Sequence, residues 1–364
     1  MPSSISSSEH PTIRVVPDHP WGPLTLIVAI SVVLVVAGWE WHCRARGYAP
    51  GLDDTTDLWV EARRSVHSDS TVIIGSSRSL FDLDLDVLEK ALGRRPVQLA
   101  LVGSCPYPML RHLADDPSFH GTVICDIVPV LLLVPSFAPP YQSVDKAIRR
   151  FHTQTWAQWS GHLLSLPLEY TFGAMQQDDL TLSALLHELP IPDRPRAQVG
   201  PRLPPCFSTI DRDRRTRMKE QVIIDQVLRE RVAFGWSPLF NAPPKPSWIP
   251  DEAYAAFNAK TFNDRFDEMA KAVADLKAHG GRVVFLRLPN SGKLHELENT
   301  LTPRPAVWDR LITTTGSPGI HFEDRPELTG FECPEWSHLS AVDSVTFTTH
   351  LAPILAGLLA PAKP

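Results

Sequence analysis

The sequence predicts an α/β fold in which a parallel sheet carries helices on both faces. Short apolar runs alternate with amphipathic helical segments through most of the chain, a rhythm typical of parallel sheets. The run over residues 122–134 is apolar with few interruptions, as expected of a strand that is buried on both faces. With 364 residues and 43% hydrophobic content, the chain is long enough for one large or two ordinary domains.

The composition argues against several classes of partner. The formal net charge is −6 and there is no block rich in Lys and Arg, so nothing favours a nucleic-acid partner. None of the five cysteines forms a C-x-x-C pair, which argues against a structural zinc site and against a disulfide framework. We therefore expect no metal, no cofactor and no nucleic acid.

The amino-terminal region predicts a membrane anchor. Residues 1–20 are rich in Ser and Pro and predict a disordered tail. Residues 21–41 are strongly apolar and bracketed by tryptophans, and 20 helical residues span about 30 Å, the thickness of a bilayer core. The alternative is a cleaved signal peptide, but its basic region is weak and its small-x-small cleavage site is missing.

The charges that flank this anchor bear on its orientation. Four arginines follow the span, at positions 44, 46, 63 and 64, and only Arg14 precedes it. The positive-inside rule would therefore place the large domain in the cytoplasm. Long domains can cross the membrane despite such a bias, so the charge count carries limited weight.

The next elements open the predicted sheet. Residues 42–70 form a juxtamembrane linker with a short helix near 56–66. A strand over 71–74 then runs into a glycine-serine-serine turn, and an amphipathic helix ends near Gly93. Residues 97–101 predict a second strand and 107–116 a helix. The third strand should end at or before Pro129, because proline cannot continue a sheet ladder.

The middle of the chain, residues 135–260, breaks the alternation and is rich in Pro, Arg and Trp. Helical segments are predicted at 144–158, 179–187 and 212–234. This region reads as an insertion that caps or flanks the sheet. Its role stays open between a packing elaboration and a substrate-binding lid or partner surface.

Regular alternation returns after the insertion. A helix over 258–280, a strand over 282–288, a helix near 304–314, a strand over 320–322 and a last helix over 340–359 are predicted in turn. About five parallel strands with helices on both faces fit a three-layer, flavodoxin-like domain over residues 71–364.

Two polar stretches suggest serine-based acyl chemistry at one edge of this sheet. Ser77 follows the first strand on a tight turn that opens a helix, where parallel sheets place their ligands. Glu335 and His338 lie between the last strand and the last helix, at the same edge. A histidine can accept the serine proton while a carboxylate orients the imidazole. The competing interpretation is structural, with the serines capping a helix and Glu335 in solvent.

These residues resemble the SGNH (GDSL-like) hydrolases and acyltransferases. That family has a nucleophilic serine in a glycine-x-serine turn after the first strand, and an aspartate-x-x-histidine before the last helix. Gly75-Ser76-Ser77 matches the first motif, which implies that Ser77 is the nucleophile. His338 matches the base, and Glu335 stands where the family usually has aspartate.

The resemblance also implies an oxyanion hole. It covers residues 70–135 and 262–360, and Gly103 stands where the family has a glycine after the second strand. Backbone N–H groups of Ser77 and Gly103 would then bind the oxyanion. The family's asparagine after the third strand has no match; Asp126 is the nearest polar residue, and a carboxylate there would repel an oxyanion.

A membrane-anchored bacterial branch of this family carries GSSR or GSSE and often lacks the asparagine motif. Its members, similar to D-alanyl-transfer and alginate-acetylation proteins, act outside the cytoplasmic membrane on cell-wall or exopolysaccharide hydroxyls. The resemblance therefore implies a single-pass inner-membrane protein with a periplasmic domain. It also implies a polysaccharide substrate and a membrane acyltransferase or polysaccharide synthase as partner.

Three arginines are further candidates for substrate binding. Arg78 follows the nucleophile, and Arg287 ends the fourth strand at the same edge of the sheet. With Arg304, they could bind an anionic sugar or a phosphate. The alternative is that each pairs with a nearby acid such as Asp82 or Asp324.

The sequence thus predicts a membrane-anchored esterase or O-acyltransferase acting on acyl esters, with acetyl as the expected group. One alternative is a catalytically degenerate domain that binds a polysaccharide or scaffolds its synthesis. Another is a lipid or thioester hydrolase, for which no apolar acyl-binding stretch is evident in the sequence.

Overall fold

The computed structural model describes residues 19–176, 207–240 and 247–360, with the single positions 180, 182, 186 and 245. It confirms the predicted α/β class, with a five-stranded parallel sheet and a separate two-stranded antiparallel hairpin. The strands are β1 Thr71–Ile74, β2 Val97–Gln98, β3 Thr122–Asp126, β4 Ser208–Ile210, β5 Thr216–Met218, β6 Arg282–Arg287 and β7 Gly319–His321.

The main sheet has the order β2-β1-β3-β6-β7, and all its pairs are parallel. Counted within the sheet alone, this is the order 2-1-3-4-5 found in flavodoxin-like folds. The winding direction reverses between β1 and β3. In such sheets ligands bind at this switch point, beyond the carboxyl ends of the strands.

Helices cover both faces of the sheet and make the three layers. The described α-helices are α1 Trp21–Ala45, α2 Thr56–Arg64, α3 Ser77–Phe81, α4 Leu85–Leu92, α5 Tyr107–Ala114, α6 Pro129–Leu132, α7 Pro139–Thr153, α8 Trp156–Glu169, α9 Glu220–Ile224, α10 Gln226–Gly235, α11 Ser237–Phe240, α12 Asp251–Ala278, α13 Gly292–Leu301, α14 Arg310–Thr315 and α15 Ala341–Leu359, and a π-helical segment over Pro305–Asp309 runs into α14.

Two apolar cores fill the space between the layers. One lies under α2, α5 and α12 and contains the buried side chains of Trp59, Met109 and Phe266. The other lies under α4 and α15 and contains those of Leu88 and Phe347. Burial of these helix faces fixes the positions of the loops at the carboxyl edge.

The first apolar helix, α1, is exposed along its length except at its carboxyl end. Among the described residues, α1 and α15 are long and apolar enough to cross a membrane. The inner face of α15 packs on the sheet through Phe347 and Leu351, as in a core helix. The sequence prediction of an amino-terminal apolar helix is confirmed, while most of the predicted tail lies outside the described residues.

The carboxyl end of α1 is fastened to the insertion. Glu40 accepts hydrogen bonds at 2.9 Å from the backbone N–H groups of both Gly173 and Ala174. Arg44 donates a hydrogen bond to the carbonyl oxygen of Thr171 at 3.0 Å. The apolar helix and the domain are therefore joined by direct contacts as well as by the linker.

The insertion differs from its prediction in two places. The helix predicted over 144–158 is two helices, α7 and α8, because Thr155 caps a new helix there with Gln158. The single helix predicted over 212–234 is wrong at its start, where the hairpin β4–β5 lies, and its remainder is two helices, α9 and α10, because Asp225 caps a new helix. Most of the helix predicted at 179–187 lies outside the described residues.

A buried arginine explains the hairpin. Arg214 has a φ of 65° in the turn between β4 and β5, and its side chain is fully buried. Its guanidinium donates to the Asp54 carboxylate and to the carbonyl oxygens of Gln98 and Ala100. Helix propensity is a weak preference that tertiary contacts override, and here the buried hydrogen bonds of Arg214 favour the hairpin. They fix the hairpin beside the end of β2.

Gly75 determines the turn after β1. Its φ is 141°, a conformation that favours glycine, and a Cβ at this position would lie 2.6 Å from the Cβ of Asp126. The ends of β1 and β3 therefore approach each other more closely than any other residue would allow. This contact places the two serines that follow at the edge of the sheet.

Candidate active site

The two serines after Gly75 have different surroundings. Ser76 donates from its backbone N–H and from its hydroxyl to Asp126 Oδ2, at 3.3 and 3.1 Å. Its hydroxyl oxygen also accepts a hydrogen bond from the Arg78 N–H at 3.4 Å, which caps α3. Ser76 thus holds the turn. Ser77 begins α3, and its hydroxyl contacts a different residue, His338.

The Ser77 hydroxyl meets the histidine from the other end of the chain. His338 Nε2 lies 2.8 Å from Ser77 Oγ, and His338 Nδ1 lies 2.7 Å from Glu335 Oε1. A carboxylate only accepts hydrogen bonds, so Nδ1 carries the proton and Nε2 is the acceptor for the serine O–H. The structure therefore brings together Ser77, His338 and Glu335 in the geometry of a serine-histidine-carboxylate triad.

The base and its carboxylate are shielded from solvent. His338 and Glu335 are both 0% exposed, and Ser77 is 8% exposed. Glu335 Oε1 also accepts the backbone N–H of His338 at 2.6 Å, so one oxygen holds both the main chain and the ring. Interactions among these groups are stronger here than they would be in water.

The loop that carries the base is fixed from two sides. Asp82, just after α3, accepts the backbone N–H of Leu339 at 2.8 Å. The backbone N–H of Ser291 donates to the carbonyl oxygen of Trp336 at 2.9 Å. Trp336 has a φ of 78°, which non-glycine residues adopt rarely and which is a strain often found at functional loops. Burial raises the pKa of Asp82 well above that of an ordinary aspartate.

A tryptophan of the insertion completes the site. Trp236 Nε1 donates to Glu335 Oε2 at 2.7 Å and also lies 2.9 Å from the Glu335 carbonyl oxygen. The His338 ring lies against three aromatic rings, those of Phe81, Phe207 and Trp236, at centroid distances of 4.6, 5.9 and 6.0 Å. The insertion therefore supplies two of the three aromatic walls around the base.

Arg78 and Arg287, the predicted substrate-binding residues, are both buried and both contact Glu298. Arg78 Nη1 lies 3.0 Å from Glu298 Oε2, and its Nη2 contacts Oε1. Arg287 Nη2 lies 2.5 Å from Glu298 Oε2. The two guanidinium groups thus share one carboxylate beneath the nucleophile turn, and this arrangement offers no support for a substrate-binding role.

One of the two ion pairs considered for the arginines is present and the other is not. Arg304 forms an ion pair with Asp324 at 2.7 Å. Arg78 forms its ion pair with Glu298 and not with Asp82. Burial alone would raise the pKa of Glu298, but the charges of Arg78 and Arg287 outweigh it and lower that pKa from 4.5 to about 2.

Asp126 stands at the end of β3 and faces the turn. Its Oδ2 accepts hydrogen bonds from Ser76, and its Oδ1 is buried without a hydrogen-bond partner among the residues that the structure describes. Burial raises the pKa of Asp126, although the charges of Arg78 and Arg287 act in the opposite direction. The role of Asp126 is to hold the Ser76 turn at the switch point of the sheet.

Among the described residues, two cavities meet at Ser77. One has a volume of about 210 Å³, and its walls include Ser77, His338, Asp53 and Thr216. The other has a volume of about 360 Å³, and its walls include Ser77 and Gly103. The first contains the base and the second contains the other predicted oxyanion donor.

Two functional contacts were not predicted from the sequence. The bond from Trp236 to Glu335 joins segments 99 residues apart, and no local pattern marks it. Glu298 left a weak signal, because it falls on the same helix face as Leu294 and Leu301, where a charged residue implies a buried partner.

Within the described ranges, no three or more His, Cys, Asp or Glu residues are grouped so as to hold a metal ion. In comparisons with known proteins, no family model, no curated protein and no solved structure matches the chain.

We predict that Glu298→Gln destabilises the fold by about 3–5 kcal/mol, because it leaves two buried guanidinium groups without a counter-charge. Since the folded-state pKa of Glu298 is lowered, its contribution is complete above the unfolded pKa of 4.5 and is lost toward pH 2. The stability difference between wild type and variant should therefore be constant above about pH 5.5 and narrow below it.

Thermal or denaturant unfolding at several pH values measures this difference. Glu296→Gln is the matched control, because Glu296 lies exposed on the same helix. A difference as small as that of the control, or one that widens in acid, contradicts the assignment.

Proposed function

We propose that this protein is a membrane-anchored serine esterase or O-acyltransferase. The observation that carries the proposal is the 2.8 Å contact between Ser77 Oγ and His338 Nε2, with Glu335 bound to the opposite nitrogen. Serine hydroxyls are weak nucleophiles unless an adjacent base takes their proton. The resemblance to SGNH hydrolases and acyltransferases, which rests on the same residues, favours the same chemistry.

In this proposal Ser77 Oγ attacks the carbonyl carbon of an acyl ester while His338 Nε2 takes the hydroxyl proton. Collapse of the tetrahedral intermediate breaks the bond to the alcohol oxygen, which receives that proton from His338. The acyl group then remains on Ser77. Water or a second hydroxyl, deprotonated by His338, attacks the acyl-serine and restores the free hydroxyl.

The oxyanion is assigned to backbone donors. Ser77 N–H belongs to the first turn of α3, where N–H groups have no partner within the helix. Gly103 lies on the wall of the same cavity as Ser77 and has a φ of 60°. With Asp126 engaged by Ser76, these two N–H groups are the proposed stabilisers of developing negative charge.

The alcohol of the ester is assigned to the smaller cavity, because His338 must reach the leaving oxygen. Asp53, Gln176, Ser208 and Thr216 line this space, and they give it polar groups suited to a hydroxyl-rich alcohol. We therefore propose a glycan of the bacterial cell envelope or an exopolysaccharide as the alcohol, with a membrane acyltransferase or polysaccharide synthase as partner.

A fluorophosphonate serine probe should label the full-length chain, and peptide mapping should place the label on Ser77. Ser77→Ala should lose labelling and hydrolysis of an aryl acetate while remaining folded, and His338→Ala should lose both by about 10³-fold or more. Ser76→Ala is the neighbouring control and should keep its label on Ser77. Turnover that persists in folded Ser77→Ala contradicts the proposal. A folded wild-type protein that binds polysaccharide but is never labelled by the probe contradicts it as well.

Trp236→Phe tests whether the insertion positions the triad. Phenylalanine keeps a ring against His338 but removes the N–H that donates to Glu335 Oε2. A hydrogen bond to a charged group contributes about 1.5–3 kcal/mol, so kcat should fall roughly 10- to 100-fold with KM little changed. Trp248→Phe is the control, because Trp248 is 80% exposed; equal effects of the two changes argue against a positioning role.

The domain is proposed to lie in the periplasm, held to the inner membrane by α1. The resemblance favours this orientation, and the arginines that follow α1 oppose it. A protease added to spheroplasts should then digest the domain, which intact cells protect. Protection in spheroplasts, with digestion only after lysis, places the domain in the cytoplasm instead.

A further inference from the structure

We infer that the acyl group transferred by Ser77 is an apolar chain of several carbons rather than acetyl. This inference rests on the proposed function and specifies its substrate. It is drawn from the larger of the two cavities that meet at the nucleophile, which has a volume of about 360 Å³. Ligand pockets have volumes of about 300–1,000 Å³, so this space holds far more than a methyl group.

The direction of the chain follows from which groups each cavity contains. The smaller cavity includes His338, which must protonate the leaving oxygen, and so takes the alcohol. The larger cavity includes Gly103 and Ser77, between whose N–H groups the acyl oxygen is placed. A carbonyl carbon attacked by Ser77 therefore has its alcohol on the first side and its acyl chain on the second.

The walls of the larger cavity are apolar. Val128, which precedes α6, forms one side together with Val130 and Leu131 of α6, and Leu294, Leu297 and Leu301 of α13 form another. The leucines recur at spacings of three and four, so they share one face of α13. Such a lining favours an alkyl chain over a sugar or a phosphate.

The two charged side chains on this wall are buried and paired. Arg78 and Glu298 both border the cavity, but each has a side chain only 3% exposed and they form an ion pair with each other. Arg287 adds a second positive partner to Glu298 from behind. The two charged side chains that border the cavity are therefore buried and engaged in an ion pair.

The cavity also opens outward. Leu301 is 60% exposed and Val102 is 55% exposed, and both lie on its wall. These two residues therefore mark a mouth through which a chain enters beside the nucleophile. A longer acyl chain gains apolar contact along α13, whereas an acetyl group leaves the space unfilled.

The test is a chain-length series of p-nitrophenyl esters from acetate to laurate, with the full-length chain in lipid nanodiscs. Each buried methylene increases binding by about threefold to fourfold. The octanoate value of kcat/KM should therefore exceed the acetate value by about tenfold or more. Folded Ser77→Ala gives the background rate for each ester, including any that partitions into the lipid.

Two variants test the location of the chain. Leu297→Trp narrows the cavity, and Leu301→Trp narrows its exposed mouth, where a bulky residue is better tolerated. Each should lower the ratio of octanoate to acetate kcat/KM by about tenfold. Glu296→Trp, on the exposed side of α13, should leave the ratio as in wild type.

The outcomes separate the inference from the function on which it rests. Ser77-dependent hydrolysis that is fastest on acetate, or a ratio unaffected by both cavity variants, overturns the inference and leaves the esterase proposal standing. Absence of Ser77-dependent hydrolysis of every ester, together with absence of fluorophosphonate labelling, overturns the proposed function and the inference with it.

Discussion

The site depends on one buried carboxylate, that of Glu335. Its Oε1 accepts both the backbone N–H and the ring Nδ1–H of His338, and its Oε2 accepts the indole N–H of Trp236. The same side chain therefore fixes the base loop, sets the imidazole tautomer and holds the insertion against the triad. A buried carboxylate is costly unless its oxygens are satisfied, and here three N–H groups satisfy it.

A second buried charge cluster supports the other half of the site. Arg78 lies in the nucleophile helix, Arg287 ends a central strand, and Glu298 joins them from α13. A buried ion pair adds little net stability over an apolar pair, but removal of one member is costly. The cluster thereby couples the position of Ser77 to the helix that lines the larger cavity, and it links the nucleophile to the acyl-binding wall.

Much of the site could be predicted because it follows from sheet topology. Ser77 and His338 come after strands whose carboxyl ends share one edge of the sheet. They therefore lie close together in space although they are 261 residues apart in the sequence. Trp236 and Glu298 could not be placed that way, since their contacts depend on how an insertion and a late helix pack. The hairpin near Arg214 was missed for the same reason: buried contacts to other segments overrode local helix propensity.

The proposed chemistry requires that the acyl group is carried on Ser77. Mixing the full-length protein with p-nitrophenyl acetate or octanoate, followed by an acid quench within milliseconds and mass spectrometry, tests it directly. We expect a mass increase equal to the acyl group on the peptide that contains Ser77, and none in His338→Ala. Ester consumption at an undiminished rate in Ser77→Ala, with no adduct on the wild-type protein, would contradict it.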